Sequence, residues 1–345
     1  MKKHGIGFAS AWQGANYHFG APDRATVDLE LTDDLRFRVG VAAQDLGQGI
    51  FETIREIVSQ ALGGVPAEQV DVVDPDTGAT PDGGATGASR LTTLVGNATL
   101  RACRKLANVL KVAAAEALET APEEVTLDEG QLCVLGGASV SLAEVVEECG
   151  RMGLSLSVTA SFEAPPTEPL NERGQGFGVN QFSYATYIAE VEVDTDTGEV
   201  QVLRVATFID AGKMVRREGA EMQVEGGVAM GLGHALTEDF KLRDGWPKTE
   251  GFSTYLIPTA CDVPMEITSN FVDKRVPMGE LGVKGMAELT MVPIIPAITN
   301  AIYNAVGVRI THLPATPERV LMGLLKLQAR EAGEEHDGQA TADRY

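Results

Sequence analysis

Cysteine is scarce in this chain, and no two cysteines stand close together. The four are Cys103, Cys133, Cys149 and Cys261 among 345 residues. Zinc and iron–sulfur sites usually draw their ligands from closely spaced cysteines, so we do not expect this chain to hold such a site alone. The cysteines are interpreted as buried thiols of a protein that works in a reducing compartment.

Positive charge is also in short supply. The chain has 28 Lys and Arg against 49 Asp and Glu, which gives a formal net charge of -21. Nucleic-acid binding needs clustered basic residues on phosphates, so this acidity argues against it. The N-terminal residues are glycine-containing and polar, unlike a signal peptide, and no stretch is judged apolar and long enough to span a bilayer. We therefore expect a cytoplasmic protein without a membrane span.

Hydrophobic residues make up 44% of the chain, enough for a globular protein with one large or two ordinary domains. In the first half, residue patterning predicts strands at 25–31, 35–41 and 70–73, helices at 48–62 and 94–118, a hairpin turning at 128–130 and a capped helix from Ser141. In the second half it predicts strands at 184–193, 200–209, 235–242 and 267–272 and helices at 219–232 and 293–306.

Strand pairs followed by helices in both halves indicate the α+β class, with two α+β modules. The modules are expected at 1–165 and 166–325, with a linker within 165–180. A polar C-terminal tail is expected at 326–345.

Two glycine-containing loops lead into predicted helices and are candidate anion sites. Residues 45–49 read DLGQG, and residues 82–90 read DGGATGASR. Helix N-termini favour anions, and Thr86, Ser89 and Arg90 have the donors to cradle a pyrophosphate. Residues 45–49, taken alone, are explained better by an ordinary tight turn. Residues 82–90 are also explained by a flexible loop that caps the following helix. Neither loop matches GxGxxG or GxxxxGK[ST], so Rossmann and P-loop sites are poor matches.

Two later segments also combine glycine with polar residues. Residues 223–233 read QVEGGVAMGLG, and glycines within a helix cost about 1 kcal/mol each relative to alanine. They indicate close backbone packing, most simply against another helix. Residues 282–288 read GVKGMAE, and an apolar surrounding would suit Glu288 to general-base work. A lone glutamate that begins a helix is also favourable with the helix dipole.

The order and spacing of these segments resemble the molybdopterin-binding subunit of the xanthine dehydrogenase/aldehyde oxidase family. The resemblance covers the second half of that subunit and runs from about residue 5 to residue 325. The matching pieces are AAQDLGQG at 42–49, PDGGATGASRLTTLVGNA at 81–98, QVEGGVAMGLGHALTE at 223–238, YLIPTACDVP at 255–264, and GVKGMAE with PAITNAIYNAVGVRITHLPATPERVL within 282–321.

The resemblance implies a "medium" subunit of split type, similar to that of nicotinate dehydrogenase, built from two α+β modules of the aldehyde oxidase/xanthine dehydrogenase molybdopterin-binding type. Its cofactor would be molybdopterin with molybdenum, in a cytosine dinucleotide form, and the metal would be held through the pterin. Its partners would be a large molybdopterin subunit, an Fe–S subunit and an FAD subunit. The reaction implied is oxidation of an N-heterocycle or aldehyde with water as oxygen source.

The resemblance also assigns residues. Glu288 would be the catalytic general base. Residues implied in cofactor binding are Gly47, Gln48, Gly49, Thr86, Gly87, Ala88, Ser89, Arg90, Gln223, Lys284 and Gly285. Tyr17 and His18 would lie where a substrate-stacking aromatic and its neighbour are usual, although core or interface packing explains Tyr17 almost as well.

The chain departs from the family pattern at two places. The family's GVGEPP is GMAELT at 285–290, which keeps the glutamate and loses both prolines, and its GKxINP is GKMVRR at 212–217. These changes leave open a degenerate, non-catalytic scaffold subunit. An unrelated nucleotide-binding enzyme that uses the glycine loops is a further alternative, disfavoured by the missing motifs.

Overall fold

A computed structural model describes residues 1–128, 131–134 and 137–332. The strands are β1 (Lys2–Gly14), β2 (Arg24–Leu31), β3 (Phe37–Gly40), β4 (Val70–Val73), β5 (Val125–Asp128), β6 (Gln131–Val134), β7 (Ser139–Ser141), β8 (Ser157–Glu163), β9 (Phe182–Asp194), β10 (Val200–Asp210), β11 (Leu242–Arg243), β12 (Trp246–Pro247) and β13 (Glu266–Phe271). The helices are α1 (Ile50–Ala61), α2 (Leu91–Ala117), α3 (Leu142–Met152), α4 (Arg217–Leu236), α5 (Ile294–Val306) and α6 (Pro317–Glu331), and short 3₁₀ turns lie at Ala67–Gln69, Pro122–Glu124 and Glu288–Met291.

The first core lies between a four-stranded sheet and helices α1, α2 and α3. The strand order is β4-β3-β2-β8, and β2 alternates strictly between buried and half-exposed side chains. Helix α2 crosses this sheet and buries Leu94, Leu106 and Leu110 completely. Ser141 and Glu144 form the predicted capping box at the start of α3.

The second core lies between the sheet β1-β9-β10-β13 and helices α4 and α5. Helix α5 lies directly on β1, because a Cβ on Gly5 or Gly7 would stand 2.2 Å from backbone atoms of Ala301. Strand β1 pairs along its whole length with β9. The N-terminal strand therefore belongs to the second sheet, although the predicted division places residues 1–165 in the first module.

The mixed α+β fold is confirmed, and most predicted elements are present. The predicted strand at 235–242 is wrong, because Ala235 and Leu236 form the buried last turn of α4 and only Leu242 enters a short strand. Strands β1 and β8 and helix α6 were not predicted. Helix α6 continues to Glu331, into the segment expected to be a tail. The rest of that tail, 333–345, and residues 129 and 130 of the predicted turn lie outside the described residues.

One apolar segment departs from the expectation that no stretch suits a membrane. Glu288–Val306 is 19 residues long and apolar enough to cross a bilayer by length and composition. In the structure its α5 portion packs against β1 and β9, and Ile294, Ala297 and Ile298 are completely buried. A buried helix in a protein core has the same apolar composition, so this segment is weak evidence for a membrane span.

Candidate functional site

A cavity of about 330 Å³ opens where the two cores meet, and a second of about 430 Å³ adjoins it. Both cavities share seven lining residues: Leu46, Gln48, Arg216, Gly219, Gln223, Ala287 and Glu288. Most residues that line the first cavity lie around the start of α1, in the loop before α2, at 211–216 and at 283–288. The four segments singled out in the sequence thus meet at one place.

The loop before α2 presents unpaired backbone donors. The N–H groups of residues 86–89 have no hydrogen-bond partner within the described part of the chain. Ala88 and Ser89 both have positive φ, 54° and 49°. A Cβ on Gly87 would meet nothing within 4 Å, and α2 has no side-chain cap on its first N–H groups. Such a row of donors at a helix N-terminus is suited to an anion.

Arg90 supports this loop from behind and offers no donor to a ligand. It is completely buried, and its Nε and Nη2 contact Asp23 Oδ1 at 2.8 and 2.7 Å. Its Nη1 donates to the carbonyls of Gly83 and Ala85, and its Nη2 also donates to that of Arg24. The structure does not support direct binding of pyrophosphate by the Arg90 guanidinium, because its N–H groups are already used inside the protein.

Three other cations line the first cavity. Lys213 and Arg216 have no side-chain partner among the described residues. Lys284 is buried, pairs with Asp210 at 2.8 Å and lies 5.2 Å from the Tyr184 ring centre. Unpaired cations beside free N–H groups make this part of the cavity attractive to an anion, despite the acidic composition of the whole chain.

Glu288 lines both cavities at the start of its 3₁₀ turn. Its Oε2 accepts a hydrogen bond from Gln13 Nε2 at 2.6 Å and a short one from Ser89 Oγ, and its N–H donates to Ser89 Oγ at 3.2 Å. The residue is exposed, so the apolar surrounding expected from sequence is not found. The hydrogen bonds from Gln13 and Ser89 therefore orient this carboxylate.

The segment before Glu288 is fixed by side chains of the second sheet. Gln181 Nε2 donates to the Val283 carbonyl at 3.1 Å, and Ser183 Oγ donates to the Gly285 carbonyl at 2.6 Å. A Cβ on Gly285 would stand only 1.6 Å from the Ser89 carbonyl oxygen. Glycine at 285 therefore lets the loop of the first core touch the segment that carries Glu288.

The two residues that stand in place of the family's prolines make local contacts. Thr290 Oγ1 donates to the Ala287 carbonyl at 2.7 Å, and Leu289 is completely buried in the second core. A Cβ on Gly227 would stand 2.1 Å from Thr290 Oγ1, and one on Gly231 would stand 2.1 Å from an Ile294 methyl. Gly227 and Gly231 thus let the α4 backbone pack closely against the 3₁₀ turn at Glu288–Met291 and the start of α5, in line with the close packing predicted for these glycines.

The α1 entry carries its own anion. Asp45 accepts hydrogen bonds from the N–H groups of Gly47 and Gly49 at 2.9 and 3.2 Å, so this helix N-terminus is already occupied by a carboxylate. Gln48 donates to the Gln44 carbonyl at 2.9 Å while lining both cavities. Thr86 Oγ1 accepts from the Gln44 N–H at 3.0 Å, which ties the two loops together.

Tyr17 and His18 line neither cavity. The Arg90 guanidinium lies 4.8 Å from the Tyr17 ring centre, and the Tyr17 hydroxyl accepts from the Ala85 N–H at 3.1 Å. His18 packs edge-on against Phe19 at 5.6 Å. The substrate role expected for this pair is not supported; Tyr17 instead buttresses the loop before α2, in agreement with the packing alternative.

Sequence reasoning missed Gln13, Lys213 and Arg216. The two cations lie in the segment treated only as a departure from the family pattern, and their adjacency to Gly212 was the available signal. Gln13 gave none, because it reaches Glu288 across 275 residues. Among the described residues no group of three or more His, Cys, Asp or Glu is placed to hold a metal ion.

Comparison with known proteins identifies the relatives of this chain. Residues 1–264 match the molybdopterin cofactor-binding domain family. The chain is 32% identical to a probable xanthine dehydrogenase subunit of Bacillus subtilis, over 92% of this chain and 42% of that protein. It is 30% identical to aldehyde oxidoreductase of Megalodesulfovibrio gigas, over 93% of this chain and 32% of that protein.

A solved structure agrees with these sequence matches. Quinoline 2-oxidoreductase from Pseudomonas putida 86 superposes with a TM-score of 0.81 at 25% identity, over 94% of this chain and 42% of that one. The chain thus spans about two fifths or less of the length of these relatives.

Proposed function

Because this chain belongs to the molybdopterin cofactor-binding domain family, we propose that it forms the second half of the molybdenum-cofactor subunit of a cytoplasmic molybdenum hydroxylase. The hydroxylase would oxidise an N-heterocycle or an aldehyde with water as oxygen source. The names of the relatives support both substrate classes, since they include quinoline 2-oxidoreductase, nicotine 6-hydroxylase and aldehyde oxidoreductase. A large molybdopterin subunit, an Fe–S subunit and an FAD subunit would complete the complex.

The residues at the cavity fit an anionic dinucleotide cofactor. The free N–H groups of residues 86–89 and the first turn of α2 would hold the pyrophosphate of a cytosine dinucleotide form. Lys213 and Arg216 would offset its charge, and Gln48, Gln223 and the backbone at 284–285 would contact the pterin side. When bound, the cofactor supplies the molybdenum that accepts two electrons from the oxidised carbon.

Glu288 is the proposed general base, and its position is the single observation on which the catalytic proposal depends. It is the only carboxylate lining either described cavity, and it lies within hydrogen-bond reach of the same loop that offers the free N–H groups. A base must stand beside the bound group before its basicity matters. Oε1 accepts no hydrogen bond from the described residues, so it is free to take a proton.

The test is turnover per molybdenum in the assembled complex, comparing wild type with Glu288→Gln. The amide keeps the shape and removes the proton acceptor, so we expect turnover to fall by about 10²–10⁴-fold with molybdenum content and KM little changed. Glu225→Gln is the matched control, because Glu225 is exposed on α4 and lines neither cavity. Turnover of Glu288→Gln within a few-fold of wild type would favour the non-catalytic scaffold.

A further inference from the structure

Glu288 is held by donors from two separate parts of the fold, and both act on the same oxygen. Gln13, at the end of β1, donates to Oε2 at 2.6 Å, and Ser89 donates to Oε2 from the loop before α2. Hydrogen bonds donated to one oxygen stabilise the ionised carboxylate and fix its plane. The other oxygen is left for the proton that a base accepts.

Gln13 has no other hydrogen-bonding purpose among the described residues. Its Oε1 is buried and has no partner, while its Nε2 contacts Glu288. An amide rotated by half a turn would place Oε1 against the carboxylate, which is repulsive while Glu288 is ionised. It becomes favourable once Glu288 is protonated and able to donate. The orientation of the Gln13 amide is therefore tied to the protonation state of Glu288.

We propose that Gln13 is a positioning residue that fixes the plane of the Glu288 carboxylate and leaves Oε1 for the proton that it must take. This inference rests on the proposed function of Glu288 as base and concerns a residue to which the family resemblance gave no role. Lys213, Arg216 and Lys284 are the other charged side chains lining the same cavity, besides the buried Arg90.

The contact is tested first in the purified chain, without cofactor. Side-chain amide signals of ¹⁵N-glutamine-labelled protein are followed by NMR through the acidic pH range, and the Gln13 signals are assigned by their loss in Gln13→Leu. We expect one titration step at the Gln13 amide that disappears in Glu288→Gln, while the Gln201 amide, exposed on β10, does not follow it. A Gln13 amide that ignores the protonation of Glu288 would overturn the proposal.

The consequence for turnover is tested in the assembled complex. Gln13→Leu removes a donor to the carboxylate, so we expect the acidic limb of the kcat profile to move to higher pH. Gln13→Glu sets a second carboxylate beside Glu288 and should move the limb further in the same direction. KM and molybdenum content should stay near wild type, and Gln201→Leu should leave the profile unchanged.

Two results separate the proposals. An unshifted acidic limb in Gln13→Leu, with normal molybdenum content, would refute the positioning role while Glu288 remains the base. Normal turnover of Glu288→Gln would refute the proposed function, although the NMR titration would still show whether the two side chains are coupled.

Discussion

Replacing Gly285 by alanine tests how the two cores are joined at the site. A Cβ there would stand 1.6 Å from the Ser89 carbonyl oxygen and 2.7 Å from its carbon. The first distance is about 1.8 Å short of an ordinary 3.4 Å contact. The obstacle is backbone rather than a flexible side-chain end, so one of the two segments must move.

Neither segment is free to move at low cost. The Gly285 carbonyl accepts from Ser183 Oγ at 2.6 Å, and the Ala88 carbonyl accepts from the Asn16 N–H at 2.9 Å. Overpacking of a fixed contact costs about 1–3 kcal/mol. We therefore expect Gly285→Ala to lower the free energy of unfolding by that amount and to draw Ser89 away from Glu288.

The assay is urea denaturation of the purified chain, read as a lower midpoint at unchanged slope. Gly150→Ala is the matched control, because Gly150 lies in α3 and a Cβ there meets nothing within 4 Å. Alanine is favoured over glycine within a helix by about 0.5–1 kcal/mol, so this variant should be stabilised. If Gly285→Ala were as stable as wild type, the close contact between the two segments would be refuted.

Two further predictions concern the loop and the cysteines. Ser89→Asp places a carboxylate beside Glu288 and the proposed pyrophosphate site. The amounts of cytidine nucleotide and molybdenum released from the purified complex should therefore fall, while the circular dichroism spectrum is unchanged. Full cofactor occupancy would show that the cofactor binds elsewhere. Cys261 is exposed, contrary to the expectation of buried cysteines, and should react with iodoacetamide at pH 8 in the native chain. Burial raises the pKa of Cys103 to about 12, so its alkylation should require unfolding. Rapid native labelling of Cys103, read by peptide mass spectrometry, would contradict its burial.

The sequence patterns predicted elements whose large apolar side chains face the core. Strand β1 is missed because its pattern is inverted: Gly5 and Gly7 face α5 and Ala9 packs against the second core, while Phe8 and Trp12 are 68% exposed. Small residues on the buried face and aromatic residues on the exposed face do not give the pattern typical of a half-buried strand. Only the partner helix explains this arrangement, and a partner separated by almost the whole chain is not visible in local periodicity.

The candidate site divides in the same way. Glycine in 82–90 and 282–288 signalled close approach, and the structure brings these segments together at Gly285 and Ser89. The roles of individual polar side chains were less predictable, because burial decides them. The sequence suggests that Arg90 donates to a ligand, whereas in the structure its side chain is buried and paired with Asp23.

Arg90 itself gives a test that separates a loop support from a cofactor ligand. Removing one partner of a buried ion pair typically costs about 3–5 kcal/mol, and the side chains of Arg90 and Asp23 are 0% and 2% exposed. Arg90→Lys keeps the charge but replaces five fixed N–H donors by three on a different geometry, so it cannot hold Asp23 and three carbonyls together. We expect a clear loss of unfolding free energy in the chain without cofactor, measured by urea denaturation. A direct ligand would behave differently: Arg90→Lys would then unfold as wild type does and lose only cofactor occupancy, which would return Arg90 to the pyrophosphate site.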